Sequence, residues 1–239
     1  MKKKILIFII AYKAKHRLLN VFNKIPHNKL KKFDSKILIS DDASKDETIL
    51  YMNKIYGKKI LKNINKINLG YGGNIKKCLR FAKSRKIDFA VMLHGDGQYH
   101  PKYISNMLNI LQNDENVKAV TGSRMINKNK ALKGNMPIYK FIGNIFLTYL
   151  TNLITKKDFT DCHSGFWAYR VNIFKSINLN NITNGFNFDQ QIRLKCVKNN
   201  FHIKEIPIQT IYGTERSSTH IVYAIRYLYE LFRFLIKAY

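Results

Sequence analysis

Acidic residues, proline, cysteine and tryptophan are all scarce in this chain. Only 15 of its 239 residues are Asp or Glu against 42 Lys and Arg, a formal charge of +27. Its four prolines form no tract, which excludes a collagen-like chain or a Pro-rich linker. The three cysteines, Cys78, Cys162 and Cys196, are odd in number, far apart and without partners at metal-ligand spacing. That excludes a disulfide scaffold and fits buried or free thiols in a reducing compartment. Long apolar runs are missing too: nothing reaches the ~18 uninterrupted residues of a membrane-spanning helix. The opening Met1-Lys-Lys-Lys followed by Ile5 to Ala11 imitates a secretory leader. The run is short, however, and passes into Tyr12-Lys-Ala-Lys-His16-Arg17 with no small-residue cleavage site, so a buried first strand is expected.

What is present is enough to build a core. With 46% hydrophobic and 13% aromatic residues, the chain reads as one globular body rather than a disordered basic tail. Residues 1–40 carry eleven Lys and Arg against the single acid Asp34, and residues 53–90 carry eleven against Asp88. This surplus divides between solvated lysine on helix faces and a surface that meets polyanions: nucleic acid, acidic phospholipid or phosphorylated substrates. The acids are informative through their placement. Asp41, Asp42, Asp46 and Glu47 cluster, while Asp96, Asp161 and Asp189 stand almost alone in loops or element ends.

Hydrophobic patterning predicts strands at Lys4–Tyr12, Lys36–Ser40, Ile87–Leu93 and Val117–Thr121, with a weaker one near 59–65. Helices are expected from Asp46 to about Gly57, from Asn74 to about Arg85, from Pro101 to about Gln112, over 138–154, over 188–199 and from Thr219 to Lys237. Ser44-x-x-Glu47 has the form of a capping box for the first of these. Such alternation predicts an α/β domain with a mainly parallel sheet, whose sites lie beyond the carboxyl ends of its strands.

Three loops carry chemistry. Asp41-Asp42 follows a strand, so its carboxylates can accept from the ribose hydroxyls and base N–H groups of a nucleotide; an ordinary loop with a helix cap reads equally well. Asn68–Asn74 is Gly-rich, allowing close backbone approach to a ligand, but it lacks G-x-G-x-x-G spacing and a P-loop Lys. In His94-Gly-Asp96-Gly-Gln98 a carboxylate projects between two glycines at a strand end, where it can reach a Mg²⁺ or Mn²⁺ that also coordinates a diphosphate. A turn with one solvated Asp is the alternative. Neither His94 nor His100 needs to be a ligand.

Asp41-Asp-Ala-Ser-Lys-Asp-Glu-Thr48, Asn68-Leu-Gly-Tyr-Gly-Gly73, His94-Gly-Asp-Gly-Gln-Tyr-His-Pro101, Gly122-Ser-Arg124 and His163-Ser-Gly165 together resemble family-2 glycosyltransferases of the GT-A fold. Bacterial enzymes similar to dolichol-phosphate mannose synthase are the nearest type, and the resemblance spans roughly residues 4–216. It implies a GT-A catalytic domain over 1–216, followed by a C-terminal amphipathic helix over 217–239. It also implies inverting transfer of a sugar from a nucleoside-diphosphate sugar, with Mg²⁺ or Mn²⁺ as cofactor, to a polyprenyl phosphate or a saccharide or other hydroxyl acceptor.

Residue by residue, the resemblance assigns Asp41 and Asp42 to the nucleoside, with Tyr12 and Gly70 lining that pocket, and Asp96 to the metal with Gln98 beside it. Arg124 would meet donor or acceptor phosphate, Ser164 and Gly165 would shape the sugar and acceptor side, and Arg216, in a segment that closes over the donor, would meet the diphosphate. Asp189, in Phe186-Asn-Phe-Asp-Gln190, is the candidate base for a hydroxyl acceptor; toward an ionised lipid phosphate it would only orient. As a plain structural residue it would sit favourably at a helix N-terminus. The chain departs from the family pattern at His94, where relatives often have an acid, at Ile10-Ala-Tyr12-Lys13, and at Trp167 and Gln191.

No helix-turn-helix, zinc-finger or RNP-like pattern accompanies the charge, so no nucleic-acid partner is expected. In the last helix Ile221, Ile225, Leu228, Phe232 and Leu235 form an apolar stripe, opposite Arg226, Glu230, Arg233 and Lys237. Core packing is the favoured use of that stripe, and an interfacial helix on anionic lipid is the second. The expected location is the cytoplasm, with the inner face of the cell membrane as a peripheral site.

Overall fold

Strand β1 (Lys4–Ala11) is buried from Ile5 onward, and its alternation sorts the core into two layers. In the computed structural model, which describes residues 1–57, 60–210 and 221–237, Ile5, Ile7 and Ile9 pack into one layer and Leu6, Phe8 and Ile10 into the other. Along the chain follow α1 (Lys15–Asn23), α2 (His27–Leu30), β2 (Asp34–Asp41), α3 (Thr48–Tyr56), β3 (Leu61–Ile64), α4 (Tyr71–Ser84) and β4 (Phe89–His94). The second half holds α5 (Ile104–Asn113), β5 (Val117–Ser123), α6 (Lys128–Lys133), α7 (Ile138–Thr155), β6 (Trp167–Arg170), α8 (Phe188–Lys198), β7 (His202–Pro207) and α9 (Ile221–Leu235).

The sheet order is β3-β2-β1-β4-β6-β5-β7. β2 and β4 pair with β1 from opposite sides, both parallel to it, while β6 runs antiparallel to β4 and β5. Because the chain leaves β1 toward one neighbour and returns to the other, a crevice opens beyond the carboxyl ends of β1, β2 and β4. Tyr12, Asp42 and Asp96 stand in the segments that follow these ends.

The five expected strands appear as β1 to β5. β6 and β7 were not anticipated: β6 has four residues, and β7 alternates with charged positions that blunt its apolar signal. The expected capping box does not form. The Ser44 hydroxyl donates to Asp41 and accepts from Lys13 N–H instead of from a helix N–H, Glu47 pairs with Lys15 at 2.9 Å, and Asp46 Oδ1 accepts from Thr48 N–H at 3.1 Å.

Two helices expose their apolar stripes. α7 buries Asn144, Thr148, Thr151 and Thr155 and exposes Ile138, Tyr139, Ile142, Phe146, Tyr149 and Leu153. In α9 the favoured core-packing reading of the apolar stripe is wrong: Ile225, Leu228, Phe232 and Leu235 face outward, while Tyr227, Glu230 and Leu231 are buried. The inversion has a local cause. Asn144 donates to buried Asp161 at 2.9 Å, and Thr151 shares a 2.7 Å hydrogen bond with the Tyr227 hydroxyl, so the polar face of α7 has its partners inside, while α9 turns its Tyr223, Tyr227, Leu231 and Phe234 side inward and leaves Arg226 exposed. Among the described residues no helix is long and apolar enough to cross a membrane.

Candidate active site

Four of the sequence motifs converge on one hydroxyl group, that of Tyr71. It donates to Asp189 Oδ2 at 2.6 Å and lies 3.4 Å from His94 Nε2, which is itself 3.1 Å from the Gly165 carbonyl oxygen. A side chain at Gly165 would place its Cβ 2.7 Å from the Tyr71 hydroxyl and 3.0 Å from His94 Cε1, so this position has room only for glycine. Tyr99 completes the cluster: its hydroxyl accepts from Gly165 N–H at 2.9 Å and its ring meets His94 edge-on.

The glycines of Asn68–Asn74 explain how Tyr71 gets there. A Cβ on Gly70 would sit 2.8 Å from the Asn184 carbonyl, and one on Gly72 2.5 Å from that of Thr183. The Gly72 N–H donates to Asn184 O at 2.7 Å, so the start of α4 is clamped against the segment leading into α8. In this structure the glycines permit close approach of protein backbone, where the sequence reading had anticipated a ligand. The clamp brings Tyr71, first residue of α4, to Asp189 in the first turn of α8.

Asp189 is 8% exposed, and its Oδ1 is buried without a hydrogen-bond partner. Burial pushes its carboxyl up to about 7, against the opposing influence of the Tyr71 hydrogen bond and the Arg193 charge. Burial and the adjacent Asp189 hold the Tyr71 hydroxyl well above its ordinary value, so it stays a proton donor. Burial likewise draws His94 below the usual imidazole range, although Asp96 and the Gly165 carbonyl pull the other way.

Asp96 lies exposed in the turn after β4, with Oδ1 accepting from Gln98 N–H at 2.9 Å and Oδ2 without a partner among the described residues. Tyr12, at the end of β1, is 52% exposed. Asp41 and Asp42 are each 4% exposed. Ser44 engages both oxygens of Asp41, through its N–H at 3.0 Å and through its hydroxyl. Asp42 Oδ1 accepts from Asn65 and from Leu69 N–H, both at 2.8 Å, and Oδ2 has no partner among the described residues.

Arg124 is buried, with Nε and Nη2 on the two oxygens of Asp161 at 2.7 and 2.8 Å, so these two nitrogens are engaged within the protein. Ser164 is fully buried and its carbonyl accepts from Trp167 Nε1 at 2.9 Å; it shapes the wall that carries Gly165. Arg216 falls outside the described residues. Tyr71, Tyr99 and half-exposed Phe186, stacked on Tyr71 with centroids 5.5 Å apart, were missed as site residues. Tyr71 lay within a motif read for its glycines alone.

A cation implied by the fold family fits the donor set in one specific sense. No group of three His, Cys, Asp or Glu residues could hold a metal among the described residues. An ion here would need the free oxygen of Asp96 together with oxygens from a bound diphosphate, the way Mg²⁺ and Mn²⁺ are commonly held beside nucleotides.

A mixed sheet in this order, with acids beyond β2 and β4 and a buried carboxylate opposite them, defines a GT-A glycosyltransferase. The family model described as glycosyl transferase family 2 matches residues 6–177, and the chain belongs to that family. It is 29% identical, over 96% of its own length and 95% of the relative's, to the UDP-N-acetylglucosamine–dolichyl-phosphate N-acetylglucosaminyltransferase of Methanococcus voltae. An uncharacterized protein of Methanocaldococcus jannaschii is 31% identical over 82% of this chain and 79% of that one. Among solved structures, glucosyl-3-phosphoglycerate synthase from Mycobacterium tuberculosis with UDP superposes at TM-score 0.70 and 12% identity, covering 98% of this chain and 79% of that one. The same enzyme with Mn²⁺, UDP and glucosyl-3-phosphoglycerate gives 0.65 at 11% identity, with 98% and 79% coverage.

Proposed function

We propose that this glycosyltransferase moves a sugar, with inversion, from a nucleoside-diphosphate sugar to a polyprenyl phosphate presented at a membrane surface. The observation that carries the reading is the buried Asp189, tied at Oδ2 to Tyr71 and without a partner at buried Oδ1, in the same cluster as the His94–Asp96 turn. Tyr12 and the free oxygen of Asp42 receive the nucleoside. Asp96 holds the divalent cation, which offsets diphosphate charge as the sugar–phosphate bond breaks. Tyr71 fixes the Asp189 carboxyl so that Oδ1 faces the acceptor. Phe186 offers an exposed apolar face beside it.

The acceptor assignment draws support from the M. voltae relative and from the exposed faces of α7 and α9, which are adjacent and apolar. Lys156 and Lys157 lie just past the end of α7 and Arg226 lies on α9, all exposed, and such cations suit an anionic bilayer surface. On this reading α9 acts as a membrane-surface helix and the protein works peripherally at the cytoplasmic face. A second reading, transfer to a saccharide or other hydroxyl, is favoured by the raised proton affinity of Asp189, which suits a general base near neutral pH.

Release of nucleoside diphosphate from a panel of nucleotide sugars, beginning with UDP-N-acetylglucosamine, tests both. Release that requires polyprenyl phosphate and a divalent cation is expected. Release that requires a saccharide instead would replace the first reading with the second, and no release with any pairing would refute both.

A further inference from the structure

His94 ends β4 two residues before Asp96, and its two ring nitrogens have different surroundings. Nε2 faces the Gly165 carbonyl at 3.1 Å. A carbonyl only accepts, so Nε2 carries the hydrogen and, in the neutral ring, Nδ1 carries the lone pair. Nδ1 has no protein partner among the described residues, and it is not one of the buried unpartnered atoms, which leaves it open to solvent.

The ring is held in that orientation from three sides. Tyr99 meets it edge-on with centroids 4.9 Å apart, Tyr71 does so at 5.6 Å, and Gly165 supplies the gap in which the imidazole edge sits. His94 also shares a turn with Asp96, closed by Gly97 N–H on His94 O at 3.3 Å, and Asp96 keeps Oδ2 free. An imidazole backed by a carbonyl on one nitrogen and open on the other is the arrangement that metal-bound histidines adopt.

We propose that His94, through Nδ1, is a second protein ligand of the cation that Asp96 holds, and that it biases the site toward a first-row transition ion such as Mn²⁺ over Mg²⁺. The inference rests on the cation-assisted reading above. Nitrogen ligation strengthens along the transition series, whereas Mg²⁺ prefers oxygen and gives up water reluctantly. Two protein ligands leave the remaining positions to diphosphate oxygens and water.

The test is Mn²⁺ binding followed by electron paramagnetic resonance, with UDP present and absent. Wild type should bind Mn²⁺ with UDP and show ¹⁴N hyperfine coupling that changes on ¹⁵N-histidine labelling. His94→Ala should weaken Mn²⁺ binding at least about tenfold, the lower bound seen when even an outer-shell partner of a ligand is removed. His94→Asp should keep a cation but lower the Mn²⁺ to Mg²⁺ preference by a similar factor. In the metal-free wild type, ¹⁵N shifts should report the Nε2–H tautomer, a measurement that needs no variant to fold.

Bound Mn²⁺ without histidine coupling, unchanged affinity in His94→Ala, an Nδ1–H tautomer, or no Mn²⁺ binding at all would each overturn the proposal. Sugar transfer assayed on the same preparation keeps this apart from the functional reading, because transfer that persists without a histidine-bound ion refutes only the ligand assignment.

Discussion

Replacing Asp189 by Asn should lower turnover and also remove a pH-dependent weakness from the fold. The carboxyl titrates at about 7 in the folded protein and at about 4 in an unfolded chain. Between these values the unfolded state has released the proton and the folded state has kept it, so wild-type stability falls as pH rises. It levels off above the folded value. A separation of about three units at about 1.4 kcal/mol each gives a loss of about 4 kcal/mol across the window. The groups facing the carboxyl include Tyr71 from α4, Tyr169 from β6, Tyr223 from α9 and Arg193 from its own helix, and the tyrosines remain uncharged through this range.

Asn offers Tyr71 an acceptor but puts an amide where Oδ1 has no partner, which costs about 1–3 kcal/mol at every pH. The informative quantity is therefore the change in the stability difference between variant and wild type with pH. Urea unfolding from pH 5 to pH 8 should show this difference moving in favour of Asp189→Asn by about 3 kcal/mol, then holding constant at higher pH. Curves that stay parallel from pH 5 to pH 8 would show that the carboxyl is already ionised at pH 5, and the reasoning from burial to proton affinity would fail.

Other substitutions probe the same construction. Tyr71→Phe removes the hydrogen bond that opposes the rise in Asp189, so the acidic limb of kcat should move to higher pH by about one to two units, the equivalent of a charge-assisted bond of about 1.5–3 kcal/mol; an unmoved limb would detach Tyr71 from the chemistry. Asp96→Asn should lower turnover at least as much as Asp189→Asn, and wild-type activity in it would remove the metal assignment. Asp161→Asn breaks a buried pair with Arg124 and should cost about 3–5 kcal/mol in urea unfolding. Burial disfavours the Asp161 charge, but Arg124 overrides it and holds the carboxyl well below its usual range, so wild type should retain this contribution down to strong acid. Ile225→Glu with Phe232→Glu should abolish sedimentation with anionic vesicles while leaving the far-ultraviolet circular dichroism unchanged; undiminished vesicle binding would count against α9 as the membrane face.

The order of elements could be read from the sequence because burial on both faces makes parallel strands continuous apolar runs, as in Ile5 to Ala11 and Phe89 to Leu93. The motifs were legible as residues but not always as contacts. Asp96 lies where a strand-end carboxylate should, yet Asp41 is engaged by Ser44 and Arg124 by Asp161, partners three and 37 positions away that no local pattern announces. Tyr71 was hidden for a similar reason. A motif with three glycines draws attention to backbone freedom, while here the glycines serve to let the 183–185 backbone approach, and the side chain among them performs the contact.

The helical periodicity of α9 gave a true apolar stripe, Ile225, Leu228, Phe232 and Leu235, but placed it inside, whereas the buried face is the one that carries Tyr227 and Leu231. An amphipathic pattern leaves open which face is inside, and here the answer was set by partners distant in sequence, Thr151 and Gln190 on Tyr227. That inversion ties the outer surface to the active site. Tyr227 O accepts from Gln190 Nε2 at 2.8 Å, one residue beyond Asp189, and the Tyr223 hydroxyl lies 3.1 Å from His163 Nδ1, two residues before Gly165. The inner face of α9 thus holds both strips of chain that frame the Tyr71 cluster, while its outer face presents Ile225, Phe232 and Leu235. On the proposal that lipid covers the outer face, one helix fixes the distance between the bilayer surface and the carboxyl that meets the acceptor, which is the geometric requirement for a soluble donor to react with a lipid-borne phosphate.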